Sequence, residues 1–263
     1  MSDLHDQLLD LATRLAASAG AFLLAGIDQP RESIETKSSG TDMVSEMDRG
    51  AERRIVEGIL PERPDDGILG EEGTSRAGTS GVRWIIDPLD GTTNYLYGHP
   101  LWSVSIGVEV DGAMGVGVVE APTLGETFTA VLGRGAARNG VPIAVGQASA
   151  FDAALIGTGF SYSPATRARQ GAVIAELAPI VRDIRRGGSA ALDLAFTACG
   201  RLDGYFERGL NPWDIAAGAL LVQEAGGIVT GACAGEPASV DMCIAANPAI
   251  HALLRAQIES RNW

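Results

Sequence analysis

Asp87 and Asp90, separated by Pro88 and Leu89 and followed by Gly91-Thr92-Thr93, are the residues whose types and spacing best suit chemistry. Asp87 follows the apolar run Trp84-Ile85-Ile86, so it leaves a strand at the sheet edge, where open sheets place ligands. Pro88 fixes φ and removes a donor, which favours a sharp turn. Two carboxylates three residues apart across that turn can converge on one point. Hard cations such as Mg²⁺ take oxygen ligands in octahedral geometry and keep positions open for phosphate oxygens. Thr92 and Thr93 place hydroxyls beside the pair, and a hydroxyl bonded to a carboxylate such as Glu71 can orient and deprotonate a metal-held water. Two metals about 4 Å apart clamp the attacking and leaving oxygens of an in-line displacement. The pattern therefore points to phosphoryl transfer to water without a covalent intermediate. Glu71 and Asp214, the first after a short apolar strand and the second at the start of a helix, complete the acidic set.

A competing chemistry uses an aspartyl nucleophile, whose motif is an apolar strand followed by Asp-x-Asp-Gly-Thr. Here two residues separate the aspartates instead of one, which misplaces a nucleophile relative to its acid. The net charge of −13 disfavours nucleic acid as a partner, because phosphate backbones require a basic surface. It suits an anionic substrate only if some carboxylates hold cations. Three cysteines, Cys199, Cys233 and Cys243, form no disulfide framework and read as small apolar residues of a reducing compartment. His5, His99 and His251 offer no imidazole zinc site, and no Asp-rich calcium loop is present. Trp102 and Trp213 read as core residues. No run of about 18 uninterrupted apolar residues occurs, and Asp3, Asp6, Asp10 and Arg14 do not suit a signal peptide. Cytoplasm, with no membrane partner, is the expectation.

The elements that must position these residues follow from periodicity. Leu4, Leu8, Leu11, Leu15, Ala19 and Phe22 predict an amphipathic opening helix. Ser45 and Asp48 resemble a cap for a second helix with inner face Ala51, Ile55 and Ile59, stopped by Pro61. Gly67–Glu72 and Val82–Asp87 read as short strands ending in acidic residues. Three strands follow at Val104–Val110, Met114–Glu120 and Glu126–Leu132, with turns at Asp111-Gly112 and Asn139-Gly140. Residues 1–145 thus form helices and an antiparallel sheet. Residues 146–263 have α/β texture: a strand at Ala154–Thr158, helices at Pro164–Leu177 and Ser189–Cys199, and a strand at Asp203–Glu207. A helix at Ile215–Ala225, two short strands and a helix opened by Asn247-Pro248 complete it.

The run Trp84-Ile-Ile-Asp-Pro-Leu-Asp-Gly-Thr-Thr-Asn-Tyr95 resembles the first signature of the inositol monophosphatase family. Asn211-Pro-Trp-Asp-Ile-Ala-Ala-Gly218, with Glu224-Ala-Gly-Gly227, resembles its second, and Gly70-Glu71-Glu72 its upstream acidic loop. The resemblance runs from about residue 5 to 255 and implies α+β with α/β architecture, a layered αβαβα sandwich.

By that resemblance, Glu71, Asp87 and the carbonyl of Leu89 would hold one Mg²⁺. Asp87, Asp90 and Asp214 would hold a second, and a third, weaker ion would use Glu71, near a loop lysine at Lys37. Thr92 with Glu71 would activate the water, and backbone amides of Gly91 and Thr92 would contact phosphate. Arg185-Arg186-Gly187-Gly188-Ser189-Ala190 resembles the substrate loop, so Arg186, Gly188, Ser189 and Ala190 are substrate contacts together with Asp90 and Asp214. Glu207 would receive hydroxyls of a sugar-like alcohol, while Asp42 and Asp48 would support the site. The implied reaction is hydrolysis of a small phosphate ester, inositol-1-phosphate first. Histidinol phosphate, fructose-1,6-bisphosphate and nucleotide 3′-phosphates are the alternatives on the same fold. A protein-binding regulatory module that keeps the fold is the alternative from another class. A homodimer sensitive to Li⁺ is also implied.

Overall fold

In the computed structural model, residues 2–27, 34–36, 43–233 and 235–259 are described. Helix α1 (Ser2–Gly26) and helix α2 (Glu46–Glu62) flank a short hairpin, β1 (Ile34–Thr36) and β2 (Met43–Ser45). Then come β3 (Gly67–Gly70), β4 (Ser75–Arg76), β5 (Val82–Asp90), the short helix α3 (Thr92–Leu96), β6 (Ser103–Val110), β7 (Ala113–Ala121), β8 (Glu126–Val131), β9 (Gly135–Arg138) and β10 (Val141–Pro142). The remainder is β11 (Leu155–Thr158), α4 (Pro164–Leu177), β12 (Asp183–Arg185), α5 (Ala190–Ala198), β13 (Gly204–Glu207), α6 (Pro212–Glu224), β14 (Ile228–Thr230), β15 (Cys243–Ala246) and α7 (Pro248–Glu259).

The burial pattern sorts these elements into five layers. Leu8, Leu11, Leu15, Ala19 and Leu23 of α1 pack with Ala51, Ile55 and Ile59 of α2 onto Trp84, Ile86, Ile106 and Val118 of an eight-stranded sheet. Helix α1 is long and apolar enough to cross a membrane by length and composition alone. Its buried stripe instead makes it the outer cover of this sheet. Helices α5 and α6 fill the opposite face, against Val119, Phe128 and Ala130, and also meet Tyr205, Cys243 and Ala245 of a five-stranded sheet. That second sheet turns Phe206, Ile244 and Ala246 toward Leu177 of α4 and Ile250 and Leu254 of α7. The order is αβαβα, as the resemblance implied.

The first sheet runs β10-β9-β8-β7-β6-β5-β3-β4, and it is not purely antiparallel as expected: β3 and β5 pair in parallel. The reason is α2, which precedes β3 as a cover helix while β4 turns back at the edge, so β3 enters alongside β5 in the same direction. Asp111 and Gly112 (φ 52° and 81°) and Asn139 and Gly140 (50° and 76°) make the two left-handed hairpin turns the sequence announced.

Two features of this scaffold place the site. Strand β5 does not stop at Asp87; it continues to Asp90 with a bulge, pairing Asp87 with Ser105 and Asp90 with Ser103. The extra residue re-aims the carboxylates while the ladder persists. Helix α6, which carries Asp214, lies flush on the sheet because β6 and β7 offer glycines beneath it. A Cβ on Gly107 would come within 2.7 Å of Ala216 Cβ, and one on Gly117 within 2.8 Å of the Ala217 carbonyl oxygen. The five-stranded sheet runs β12-β11-β13-β15-β14, with β11 parallel to both its neighbours and β15 antiparallel to both of its own.

Strand β5 is fixed at its entry by Asp66, a carboxylate only 1% exposed. It accepts hydrogen bonds from Arg63 Nε (2.8 Å), Ser80 Oγ (2.6 Å) and Trp84 Nε1 (2.9 Å). Burial pushes its pKa up, but these three donors and the Arg63 charge outweigh burial and hold it below the ordinary carboxylate value. Such a group stabilises the fold above its unfolded pKa of about 3.9, and the contribution fades as pH falls through the lower folded value. Asp66→Asn should therefore cost about 1–3 kcal/mol at pH 7. Urea unfolding at pH 7 and pH 3.5 should show the gap from wild type shrinking at the acid value.

Candidate active site and metal centre

A cleft of about 360 Å³ opens between the ends of the two sheets. From the first half of the chain it is lined by Glu71, Asp87, Leu89, Asp90, Gly91 and Thr92. From the second half it is lined by Arg186, Gly188, Ala190, Glu207 and Asp214, together with residues 159–162. Residues more than a hundred positions apart in the chain are thereby brought together.

Among the described residues, oxygens of Asp87, Asp90 and Asp214 lie within 4.8 Å of one another. Each carboxylate is oriented by the backbone. Asp87, 1% exposed, accepts the Leu89 N–H at Oδ1 (3.0 Å), which closes the bulge on itself. Asp90 accepts Ser189 Oγ (2.6 Å) and the Ala191 N–H (2.7 Å) at Oδ2, so it docks at the N-terminus of α5. Asp214 lies in the first turn of α6 and accepts the Asn211 N–H (2.6 Å) at Oδ2. Asp214 is also within hydrogen-bonding reach of Asp87.

Burial and mutual repulsion oppose ionisation here. Asp87 is pushed well up, first by burial and then by the charges of Glu71, Asp90 and Asp214. Asp214 rises through burial and Asp90. Asp90 reaches only about 6, because the Ser189 and Ala191 hydrogen bonds offset part of its burial. Carboxylates crowded this closely persist only when protons or cations neutralise them. The donor set is all hard oxygen, so the residues fit a hard divalent ion such as Mg²⁺.

Glu71 is set by its backbone N–H, which donates to the Ile86 carbonyl (3.1 Å), and by the loop beyond it. Glu52 Oε2 accepts the Glu72 N–H (2.8 Å), and Oε1 accepts the Thr74 N–H (3.1 Å) and hydroxyl (2.5 Å). Thr92 Oγ1 lies 3.2 Å from Asp48 Oδ2 and 3.1 Å from the Leu89 carbonyl. The carboxylate it reaches is thus Asp48, not Glu71 as expected. Asp48 comes from the first turn of α2, whereas Glu71 follows β3 and is tied to β5 through its backbone. Lys37 and Asp42 lie outside the described residues.

Glu207 also lines the cleft, with Tyr205 OH donating to its Oε2 (2.6 Å). Burial lifts Glu207 to about 7, against the Tyr205 bond and the nearby Arg186 charge. Arg186, Gly188 and Ala190 line the cleft as expected, while the neighbouring Arg185 pairs with Asp183 (2.6 Å). Ser189, expected among the substrate contacts, is not one of the cleft-lining residues. It is buried as the cap of α5, accepting the Leu192 N–H (3.2 Å) and donating to Asp90, and Ser103 Oγ lies 3.2 Å away. Trp213 also departs from expectation: at the opening of α6 it lines the cleft instead of the core, whereas Trp102 is fully buried against Tyr95. His99 is on the exposed turn after α3.

Sequence reasoning passed over Glu52, Asn94 and Asp193. Asn94 Nδ2 donates to the Leu101 carbonyl (2.5 Å) and, across the cleft, to the Gly187 carbonyl (2.9 Å). The available signal for Glu52 was position: with Asp48 it shares the helical face of Ala51, Ile55 and Ile59, where a charge needs a partner.

The sequence matches the inositol monophosphatase family over residues 4–262. It is 42% identical to Nus factor SuhB of Escherichia coli K12 over 85% of this chain and 84% of that protein. Identity is 38% to the inositol-1-monophosphatase of Mycobacterium leprae, covering 98% and 95% of the two chains. The crystal structure of the extragenic suppressor protein suhB from Bartonella henselae superposes with a TM-score of 0.90 at 35% identity, covering 96% and 98%. With the family signatures folded around one acidic cleft, this chain belongs to the inositol monophosphatase family, a family of phosphatases.

Proposed function

We propose that this chain hydrolyses the phosphate ester of a small polyhydroxyl alcohol, inositol-1-phosphate first, with Mg²⁺ as cofactor, as a cytoplasmic homodimer sensitive to Li⁺. The observation that carries the reading is that the Asp87–Asp90–Asp214 cluster and Glu207 line one small cleft. Glu71, Asp87 and the Leu89 carbonyl would hold one ion, and Asp87, Asp90 and Asp214 a second; a third would draw on Glu71. Bound Mg²⁺ supplies charge neutralisation at the phosphate and acidifies water.

The protein groups do the remaining work. Thr92 has one proton to donate, and Asp48 and the Leu89 carbonyl compete for it. Donating to Asp48 would leave the Thr92 oxygen free to accept a hydrogen bond from the attacking water, while the Leu89 carbonyl would be available to help hold an ion. Backbone N–H groups of Gly91 and Thr92 would orient the phosphate. Glu207, with Oε2 engaged by Tyr205, offers Oε1 to a hydroxyl of the alcohol. The P–O bond to water forms as the P–O bond to the alcohol breaks; one of the water's two protons stays on the released phosphate and the other ends on the departing alcohol oxygen. A second reading, a protein-binding regulatory role beside catalysis, is favoured by the similarity to a relative named Nus factor SuhB.

Activity should require Mg²⁺ and disappear in excess EDTA. Comparing kcat/KM for inositol-1-phosphate, histidinol phosphate, fructose-1,6-bisphosphate and adenosine 3′,5′-bisphosphate should rank the first highest; any other order replaces the substrate named here. A retained cellular role in inactive Asp90→Asn would support the regulatory reading.

The pH dependence follows from Asp90 at about 6. A carboxyl raised on folding binds more protons in the folded state, so metal-free stability falls as pH rises from about 4 to 6 and stays reduced above. Mg²⁺ must displace those protons, so its rise in Tm should be large at pH 8 and small at pH 5. Asp90→Asn should raise the metal-free Tm at pH 8 while lowering activity at least about a hundredfold. Calorimetry with and without Mg²⁺ checks both signs.

Ser189→Ala should weaken Mg²⁺ binding and turnover about 10–100-fold through Asp90. Titrating Mg²⁺ against activity separates this from a direct substrate contact, which would move KM for the ester alone.

A further inference from the structure

Asp193 has no role in the mechanism above, yet it is a carboxylate only 4% exposed, one turn into α5. Its surroundings are specific. The backbone of Gly187 lies directly on its carboxyl group: a Cβ there would fall 2.6 Å from Asp193 Oδ1. The Gly187 N–H hydrogen-bonds to Asp193, and the charges of Arg186, Glu207 and Asp90 act on it. The Gly187 carbonyl, on the other side of the same residue, accepts Asn94 Nδ2 at 2.9 Å. Gly187 is therefore gripped at its N–H from α5 and at its carbonyl from α3. The residues either side of it, Arg186 and Gly188, line the cleft.

We infer that Asp193 is the positioning residue of the alcohol-binding loop, holding Gly187 so that Arg186 and Gly188 meet the alcohol of the substrate together with Glu207. The inference rests on the proposed function, because it assigns Asp193 to the alcohol rather than the phosphate end. A buried charge kept merely to stabilise α5 would need only the helix N-terminus. Burial and Glu207 both push the Asp193 carboxyl up, so its retention costs stability that an apolar residue would not. The cost has a return in the loop: the Asp193 contact and the Asn94 bond tie the alcohol end to the helix that begins at Thr92, fixing the distance between alcohol and phosphate contacts. The same α5 N-terminus holds Asp90 through Ser189, so one helix end registers both.

The experiment uses the full chain with Mg²⁺ and two esters, inositol-1-phosphate and p-nitrophenyl phosphate, whose leaving group has no hydroxyls for the loop. Asp193→Ala should raise KM for inositol-1-phosphate about fivefold more than KM for p-nitrophenyl phosphate, the factor expected for one lost hydrogen bond. Asp193→Asn, which keeps an acceptor, should recover most of that difference. Gly187→Ala should reproduce the defect by collision with Asp193, and the Gly187→Ala/Asp193→Ala double variant should be better than Gly187→Ala alone because the carboxyl group is gone. Equal KM changes for both esters, or a double variant whose losses simply add, would overturn the inference; if Asp193→Ala does not fold, Asp193→Asn and the double variant decide. Failure of the wild type to hydrolyse inositol-1-phosphate while cleaving p-nitrophenyl phosphate would instead reject the substrate reading on which the inference stands.

Discussion

Repulsion among buried carboxylates is the constraint around which this protein is organised. Asp87, Asp90 and Asp214 stand within 4.8 Å of each other, and a chain gains nothing by folding them together unless something else will neutralise them. Each is held by backbone or hydroxyl donors that cannot leave: the Leu89 N–H for Asp87, the α5 N-terminus for Asp90, and the Asn211 N–H for Asp214. Those donors come from three different places, so the cluster exists only when both sheets and the α5–α6 layer have assembled. The cost in folding stability is the reserve from which cation affinity is drawn.

Middle-layer packing is what makes this convergence tolerable. Gly107 and Gly117 let α6 approach the first sheet closely, which carries Asp214 to the bulge in β5. Glu52 and Asp48, both on the inner face of α2, secure the Glu71 loop and the Thr92 hydroxyl from the other side. Charged groups on an otherwise apolar helix face are thus the anchors by which the outer layer reaches through to the site.

Much of this was legible in the sequence because it is local. The spacing of Asp87 and Asp90 around Pro88 encodes a kink that brings two carboxylates together, and the bulge is that kink realised within a continuing strand. Hairpins at Asp111-Gly112 and Asn139-Gly140 and the Ser189 cap are likewise local choices. The parallel pairing of β3 with β5 was not readable, since pairing direction depends on where α2 and β4 send the chain and not on alternation within either strand. The partners of Thr92 and Ser189 were equally hidden. Asp48 lies 44 residues before Thr92, and Asp90 lies 99 before Ser189, and only tertiary contact selects among the available carboxylates. Ser189 read as a substrate contact because it sits in the motif with Arg186, Gly188 and Ala190; its own side chain, drawn into the cap of α5, bonds to Asp90.

The two ends of the cleft differ in how firmly local sequence determines them. At the carboxylate cluster, Asp87, Asp90 and Asp214 each sit in a local motif, although the partners that hold Asp90 and Thr92 come from elsewhere in the chain. On the side of Glu207, the end of β13 meets the single loop that carries Arg186 and Gly188, and their mutual placement depends on long-range grips such as Asn94 on Gly187. A change of one such grip would move the loop of Arg186 and Gly188 without altering the residues of the carboxylate cluster. Specificity can therefore diverge among proteins of one fold and one metal chemistry, and the residues that set it need not touch the substrate.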